Sequence, residues 1–247
     1  MQISGNTIFI PGATSGLGLA LAVALEQRGN RIIVAGRRED RLAEIRAEHP
    51  GFATYRLDVS DRDDVAAVSA RVIAEHPDVD VLVTMAGIMV AEDWTTGSFL
   101  ETAERIVETN VLGTIRLIAA FTEHLQSRPA ATIMTVSSGL AHAPLAPTAT
   151  YNATKAAIHQ LSETIRLQLG DTSVRVTELV PPSVATELMP GHADDARAMP
   201  LDEFVDEVVA LIEADPDATE ILVERVKFLR YGEVRGDYAQ VVAALNA

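Results

Sequence analysis

The segment Thr7–Gly18, with the sequence TIFIPGATSGLG, decides the fold. It predicts a buried strand over Thr7–Ile10, then a glycine-rich turn, then a helix that begins at Gly16. Glycines let the backbone turn tightly and let a pyrophosphate approach the N-terminus of a helix, where free N–H groups and the helix dipole favour anions. The spacing is G-x-x-x-G-x-G rather than the G-x-G-x-x-G fingerprint of dinucleotide sites, so an ordinary strand–helix turn remains an alternative.

Apolar strand patterns alternate with helical patterns along the rest of the chain. The predicted strands are Thr7–Ile10, Arg31–Ala35, Ala53–Leu57, Asp80–Thr84, Ala131–Val136, Ser173–Leu179 and Glu220–Val223. The predicted helices are Gly16–Arg28, Glu39–Glu48, Asp61–Glu75, Ser98–Gln126, Thr150–Leu169, Leu201–Glu213 and Tyr238–Leu245. Strands that are apolar on both faces, joined by right-handed helical crossovers, predict a parallel sheet covered on both sides. We therefore expect one α/β domain over residues 1–247, a doubly wound Rossmann-type fold with about seven parallel strands.

Composition excludes several classes of function. The 35 acidic and 20 basic side chains give a net charge of −15, which argues against a nucleic-acid partner. The absence of cysteine excludes a disulfide framework, a thiolate metal site and a cysteine nucleophile. The N-terminal residues lack the pattern of a signal peptide, and the longest apolar segment, Leu17–Leu25, is about half a membrane span. These features predict a cytoplasmic protein with no membrane partner.

The end of the second predicted strand indicates which dinucleotide would bind. The glycine turn occupies the first strand–helix connection of a doubly wound sheet, where dinucleotides bind. The second strand ends in Gly36-Arg37-Arg38, and two arginines suit a ribose 2′-phosphate. We therefore expect NADP(H), with NAD(H) possible; the alternative is that Arg38 pairs with Glu39 or is solvated.

Asp58 follows the third strand, where it would accept a hydrogen bond from an adenine amino group or help Asp61 to cap the next helix.

Tyr151 and Lys155 are four residues apart and share one face of a predicted helix. An isolated tyrosine ionises near pH 10, so moving its pKa to about 7 requires about 4 kcal/mol, which a nearby ammonium in a desolvated site supplies. Lysine occurs only at Lys155 and Lys227, so a tyrosine and a lysine are less often found four residues apart by chance.

Ser137 and Ser138 end the fifth strand, at the sheet edge where such folds bind ligands.

These motifs, taken in order, resemble the short-chain dehydrogenase/reductase family over essentially the whole chain. The resemblance rests on the glycine turn, Asp58-Val59, Ala86-Gly87, Asn110, Ser138, and Tyr151 with Lys155. Ser138 precedes Tyr151 by thirteen residues, the family spacing, and is preferred to Ser137. Val136–Ala141 and Leu179–Leu188 are most similar to the bacterial DltE-like branch of the family.

The resemblance implies a role for each catalytic candidate. Tyr151 would donate or accept the proton, and Lys155 would lower the Tyr151 pKa and hold the nicotinamide ribose. Ser138 would position the substrate oxygen, and Asn110 would help hold Lys155 through a water. The residues expected to contact the cofactor are Gly12, Thr14, Ser15, Gly16, Leu17, Gly18, Arg37, Arg38, Asp58, Val59, Ala86, Gly87, Tyr151, Lys155, Pro181, Val184 and Thr186.

The chain departs from the family pattern at three places. Pro11 replaces a threonine before the first glycine, and Pro182 replaces the glycine of a Pro-Gly turn. Thr84-Met85 replaces two asparagines that brace the sheet near the cofactor, and we expect Thr84 to substitute for them in part.

The implied reaction interconverts a carbonyl and an alcohol with NADP(H). The alternatives are an acyl-thioester reductase, an isomerase, or a redox sensor that holds NADP(H) without turnover. We expect the substrate, a small ketone or aldehyde, between Gly139–Thr148, Met89–Thr96 and a loop at Glu187–Pro200. The side chains expected to line an apolar pocket there are Leu140, Ala143, Pro144, Leu145, Trp94 and Met189. The resemblance also implies a homodimer or homotetramer.

The sequence shows no metal-ligand set of recognised spacing. His192, Asp194 and Asp195 are typical of a solvated loop. His142 and His159 are interpreted as packing or surface histidines.

Overall fold

The computed structural model describes residues 1–189 and 191–247. Its strands are β1 Thr7–Pro11, β2 Arg31–Gly36, β3 Ala53–Arg56, β4 Val81–Thr84, β5 Ala131–Val136, β6 Val174–Leu179 and β7 Glu220–Ile221. Its helices are α1 Gly16–Glu26, α2 Glu39–Glu48, α3 Arg62–Glu75, α4 Leu100–Val107, α5 Gly113–Gln126, α6 Ala149–Gln168, α7 Leu201–Ala214, α8 Lys227–Arg230, α9 Gly232–Arg235 and α10 Tyr238–Leu245. Among the described residues, none of these helices combines the length and apolar character needed to cross a membrane.

The seven strands form one parallel sheet in the order β3-β2-β1-β4-β5-β6-β7. The direction of winding reverses between β1 and β4, so the connections that leave these two strands diverge and open a crevice at their carboxyl ends. The predicted doubly wound α/β fold is confirmed. The bounds of the predicted strands lie within two residues of those observed, whereas α8 and α9 were not predicted.

Alternate residues of β1 pack into two cores, one on each face of the sheet. Ile8 and Ile10 face the core that contains α1 and α7, and Phe9 faces the core that contains α3 and α5. The ring of Phe9 stacks on Phe121 with centroids 5.2 Å apart. Because both faces are covered, the central strands are fully buried, which explains their continuous apolar sequence.

The prediction of one continuous helix over Ser98–Gln126 was wrong. The chain forms α4, then a π-helical turn over Glu108–Leu112, then α5. A π turn inserts one extra residue into the helical repeat and is frequent at functional sites. Here it contains Asn110, whose side chain is buried.

Asp61 caps α3, as the sequence predicts. Its Oδ1 accepts hydrogen bonds from the backbone N–H groups of Asp63 at 2.9 Å and Asp64 at 3.1 Å. These bonds satisfy two of the N–H groups that the start of a helix leaves free.

Gly12 brings the turn after β1 against the backbone that follows β4. Its φ is +94°, and a Cβ added there would lie 2.5 Å from both Cα and N of Ala86. No other residue fits at this distance without a backbone shift. Gly12 therefore fixes the floor of the crevice.

We expect Gly12→Ala to lower the free energy of unfolding by about 3 kcal/mol, because it adds a backbone clash to the cost of a positive φ. Gly5→Ala is the matched control, since Gly5 also has a positive φ of +81° but open space around the added Cβ. Its loss is expected to be about 1 kcal/mol. Urea unfolding of the two variants measures the difference, and equal losses would contradict the close contact with Ala86.

Candidate active site

A cavity of about 990 Å³ opens at the carboxyl ends of the strands. All the residues that the sequence predicts as cofactor contacts line it, together with Ser138. One end is formed by the glycine turn and the end of β2, and the middle by Ser138, Tyr151 and Lys155. The fold therefore brings the residues of the motifs into one continuous space.

The N-terminus of α1 faces this cavity with Gly16-Leu17-Gly18 in its first turn. The hydroxyl groups of Thr14 and Ser15 accept hydrogen bonds from Nη2 of Arg38, at 3.0 and 2.8 Å. The first N–H groups of a helix and its dipole attract anions. This end of the cavity thus combines a helix N-terminus with a guanidinium.

Arg38 lies against the glycine turn through these two hydrogen bonds. The alternative that it pairs with Glu39 is wrong for the described part of the chain, in which neither Arg37 nor Arg38 forms an ion pair within 4.0 Å of a carboxylate. Both guanidinium groups line the cavity. The residues present fit a phosphate-bearing nucleotide at this end.

Asp58 lies at the rim of the same end, where its Oδ1 accepts from N and Oγ of Ser60 at 3.0 and 2.6 Å. Burial opposes its ionisation, but the hydrogen bonds from Ser60 and the positive charge of Arg37 outweigh it and lower the Asp58 pKa. Asp58 is therefore an ionised acceptor, and Asp61 alone caps α3.

Ser138, Tyr151 and Lys155 converge because β5 ends beside the first turns of α6. Nζ of Lys155 donates to the carbonyl oxygen of Val136 at 2.8 Å and lies 5.5 Å from the ring centroid of Tyr151. Oγ of Ser138 accepts from the N–H of Leu140 at 3.1 Å, and the Ser138 side chain lies close enough to the Tyr151 hydroxyl to favour ionisation of the phenol. All three side chains are buried.

Burial controls the protonation of this group. It raises the pKa of Tyr151 to about 12, against the opposing effect of the polar Ser138 side chain. It lowers the pKa of Lys155 to about 8, although the negative charge of Glu178 opposes this shift. Desolvation of the phenolate dominates in the free protein, so the net shift of the Tyr151 pKa is upward. The expected lowering contribution of Lys155 stays a prediction. Tyr151 is protonated at neutral pH.

Asn110 is buried and is not part of the cavity wall. Its Oδ1 accepts from the N–H of Ile88 at 2.8 Å, and its Nδ2 donates to the Ile88 carbonyl at 3.0 Å and to Oγ1 of Thr154 at 3.2 Å. Asn110 thus joins the π turn to the segment after β4 and to α6. The expected water-mediated link to Lys155 stays a prediction.

Thr84 does not take over the role of the two asparagines that brace the sheet in the family pattern. Its Oγ1 is buried and has no hydrogen-bond partner among the described residues. The bracing in this region comes from Asn110 on Ile88 instead.

Beyond the catalytic residues the cavity lining is partly apolar, as expected, but it also contains Glu187, His192, Asp195 and Arg197, and its apolar members differ from the prediction. The expected Leu140 and Leu145 line it. Ala143, Pro144, Trp94 and Met189 do not; Trp94 is 57% exposed and stacks on Phe99 with ring centroids 4.0 Å apart. Val90 and Leu188, which belong to the expected Met89–Thr96 and Glu187–Pro200 segments, also line it. So do three residues that the sequence did not indicate: Leu229, Ala244 and Leu245. These three come from the C-terminal helices, and no local sequence pattern reveals contacts over such separations.

Comparison with known proteins now identifies the family. The family model for short chain dehydrogenases matches residues 6–197. The chain belongs to the short-chain dehydrogenase family. Within it, the chain is 38% identical to the uncharacterized oxidoreductase DltE of Bacillus subtilis over 253 aligned residues, covering 100% of this chain and 98% of that protein. The resemblance to the DltE-like branch is confirmed, and the chain is an oxidoreductase.

Two further relatives carry information on the cofactor. The NADP-dependent 3-hydroxy acid dehydrogenase YdfG of Salmonella typhi is 31% identical over 175 residues, covering 70% of this chain and 71% of that protein. A short chain dehydrogenase from Burkholderia cenocepacia, solved in complex with NADP, superposes with a TM-score of 0.84 at 27% identity and full coverage of both chains. These relatives support binding of a nicotinamide cofactor.

The two lysines should titrate separately, which tests the electrostatics of the site. Burial lowers the pKa of Lys155 to about 8, whereas a hydrogen bond to Glu224 raises the pKa of the exposed Lys227 above its ordinary 10.5. With ¹³C-labelled lysine, NMR of the Cε–Hε groups gives two signals, each assigned by a Lys→Arg variant. We expect one midpoint near pH 8 and the other above 10.5. Two coincident midpoints above pH 10 would show that Lys155 is not desolvated.

Proposed function

We propose that the chain is an NADP(H)-dependent oxidoreductase that interconverts a small ketone or aldehyde with its alcohol, with Tyr151 as the acid/base. The observation that carries this proposal is the meeting of Ser138, Tyr151 and Lys155 in one cavity with a helix N-terminus and two arginines. When bound, the cofactor supplies or accepts the hydride. The protein must then bind, orient and exchange one proton.

Tyr151 is suited to donate that proton. Its pKa of about 12 keeps it protonated at neutral pH, so it is a proton donor for carbonyl reduction. Once it has donated, the phenolate would be stabilised by the Lys155 ammonium, which lies 5.5 Å from the ring centroid. In the reverse direction the same pair would take the proton from an alcohol.

Ser138 is suited to position the substrate oxygen. Its Oγ is oriented by the N–H of Leu140, and both Ser138 and Tyr151 line the cavity. A carbonyl oxygen that accepts from both hydroxyl groups is held where negative charge develops.

The preference for NADP(H) follows from Arg37 and Arg38. Two guanidinium groups at the end of β2 favour a 2′-phosphate, since they supply forked, charge-assisted hydrogen bonds. Arg38 is already oriented by Thr14 and Ser15. In support, YdfG is named as NADP-dependent and the Burkholderia relative was solved with NADP.

The substrate class follows from the aliphatic part of the cavity lining. Leu140, Leu145, Leu188, Leu229 and Leu245 supply a wall suited to an uncharged carbonyl compound. The role of the Glu187–Pro200 loop in substrate binding, the homodimer or homotetramer, and the cytoplasmic location stay predictions.

We expect Tyr151→Phe to lower the rate of carbonyl reduction by NADPH about 100- to 10,000-fold, because it removes the proton donor but little volume. Tyr238→Phe is the matched control, since Tyr238 is on α10 and does not line the cavity. Turnover of an aldehyde and ketone panel, followed by NADPH absorbance, measures the effect.

Fluorescence titration of NADPH binding to Tyr151→Phe shows whether the variant is slow because it lacks the proton donor or because it no longer binds NADPH. Retained binding without turnover supports the assignment of Tyr151. A variant as fast as the wild type would remove Tyr151 from the mechanism, and a wild type that binds NADPH but turns over no carbonyl would favour the redox sensor.

Arg38→Ala should weaken NADPH binding about 10- to 100-fold, the effect of losing one charged hydrogen bond. NADH binding should change little, because NADH lacks the 2′-phosphate. Arg41→Ala is the control, since Arg41 carries the same charge on α2 outside the cavity. Fluorescence titration of the wild type and both variants with each cofactor measures the six dissociation constants. Equal losses for NADPH and NADH would contradict the assignment of Arg38.

A further inference from the structure

Four side chains capable of binding a metal converge outside the cavity, in a group that we call the His–Glu cluster: His142, His159, Glu178 and Glu220. One ligand atom from each lies within 4.8 Å of the others. The four residues come from the loop after Ser138, from α6, from β6 and from β7. Both histidines were expected to be packing or surface residues, because residues so far apart along the chain give no spacing signal.

His142 supplies a buried ring nitrogen that is available for a ligand. Its Nε2 is buried and has no hydrogen-bond partner within the ranges 1–189 and 191–247. Its ring stands edge-on to that of His159, with centroids 4.6 Å apart. Burial lowers the pKa of His142 to about 4, so the ring is neutral, as metal binding requires. An unpaired buried nitrogen is costly unless something fills it.

His159 and Glu178 form the centre of the cluster. Nδ1 of His159 lies 2.8 Å from Oε2 and 3.1 Å from Oε1 of Glu178, which is fully buried. The other ring nitrogen, Nε2, lies 3.8 Å from a carboxylate oxygen of Glu163. Glu163 must therefore approach by about 1 Å to become the hydrogen-bonded outer partner that usually orients a metal-binding imidazole.

Glu220 is held in place by a guanidinium on its outer side. Arg230 donates to both of its carboxylate oxygens, at 2.8 and 3.1 Å. The hydrogen bond to Glu178 raises the pKa of His159, so a metal ion must displace a proton from that ring. Once both imidazoles are neutral, Glu163, Glu178 and Glu220 outweigh the single positive charge of Arg230. The cluster and its outer partners then carry a formal charge of −2, which a divalent cation offsets.

We propose that His142, His159, Glu178 and Glu220 bind one divalent transition-metal ion, with Zn²⁺ the best match. Two imidazole nitrogens and two carboxylates are a ligand set that zinc accepts in tetrahedral geometry. Zinc–ligand distances of about 2.1 Å place the ligands roughly 3.3 Å apart, so the cluster closes by about 1.5 Å at its widest. The ion takes the place of the proton shared between His159 and Glu178, and that proton is released to solvent.

The ion would connect the loop that carries Ser138 to the helix that carries Tyr151, through His142 and His159. It takes no part in proton or hydride transfer in this proposal. Its expected effect is on stability, because a ligand that binds only the folded chain raises the melting temperature.

The test uses the full chain without an affinity tag, freed of metal by a chelator. Titration with Co²⁺ reports tetrahedral binding through its visible absorption bands, and calorimetry with Zn²⁺ gives the affinity and number of sites. We expect one site per chain of micromolar affinity or tighter. His142→Gln and His159→Gln should each weaken it at least 100-fold. His49→Gln, at the end of α2 and outside the cluster, should leave it unchanged.

Circular dichroism distinguishes a variant that has lost its fold from a folded variant that has lost metal binding. His142→Gln is the decisive variant, because Nε2 of His142 makes no hydrogen bond to any described residue and its loss should leave the fold intact. Zn²⁺ should raise the melting temperature of the wild type and of His49→Gln but not of His142→Gln. The proposal would be overturned if the wild type did not bind Zn²⁺ stoichiometrically, or if a folded His142→Gln variant bound Zn²⁺ as tightly as the wild type. Neither result bears on turnover with NADPH.

Discussion

The Lys155 ammonium is buried, and the hydrogen bond from its Nζ to the Val136 carbonyl at 2.8 Å is the contact on which the candidate site depends. Removing an ammonium from water is costly, so such a group is retained only where nearby oxygens and charges compensate it. The Val136 carbonyl supplies the oxygen, and Glu178 on the neighbouring strand supplies the charge. This bond sets how α6 lies on the end of β5. Ser138 follows Val136 by two residues and Tyr151 precedes Lys155 by one helical turn, so the same bond brings their hydroxyl groups together.

The parallel sheet places the rest of the site around that contact. All strands end at the same edge, and the reversal between β1 and β4 opens a crevice there. Gly12 packs against Ala86 at the floor of this crevice, where only a residue without a Cβ fits. In a chain with a net charge of −15, Arg37 and Arg38 give one end of the cavity a positive charge. Elsewhere the lining combines aliphatic side chains, among them Leu140 and Leu229, with the charged Glu187 and Arg197.

The fold and the middle of the site were predictable because their signals are local. Strand and helix periodicity gave all seven strands, and the glycine turn, Ser138, Tyr151 and Lys155 occur at spacings that a single helix or strand end explains. The π turn at Glu108–Leu112 was missed, because tertiary hydrogen bonds from Asn110 to Ile88 and Thr154 accompany it and no helical propensity signals it.

The other features that were predicted wrongly or missed also depend on contacts between distant parts of the chain. Leu229 and Leu245 line the cavity only because the C-terminal helices fold over it. Trp94 looked like a pocket residue from its position in a loop, yet it stacks on Phe99 at the surface. The sign of the Tyr151 pKa shift depends on how deeply the phenol is buried, which the Tyr–Lys spacing does not reveal. Glu178, a strand residue with no motif around it, is a buried carboxylate that influences both Lys155 and His159.

We propose that Tyr151, Ser138 and Lys155 serve a hydride transfer with NADP(H). The most direct measurement follows the hydrogen itself, with NADPH carrying deuterium at the transferable C4 position and a panel of uncharged aldehydes and ketones. Mass spectrometry of the product should find one deuterium on the carbinol carbon, with the hydroxyl proton taken from solvent. Unchanged carbonyl compounds with the deuterium still on the cofactor, or an alcohol without deuterium, would contradict the account.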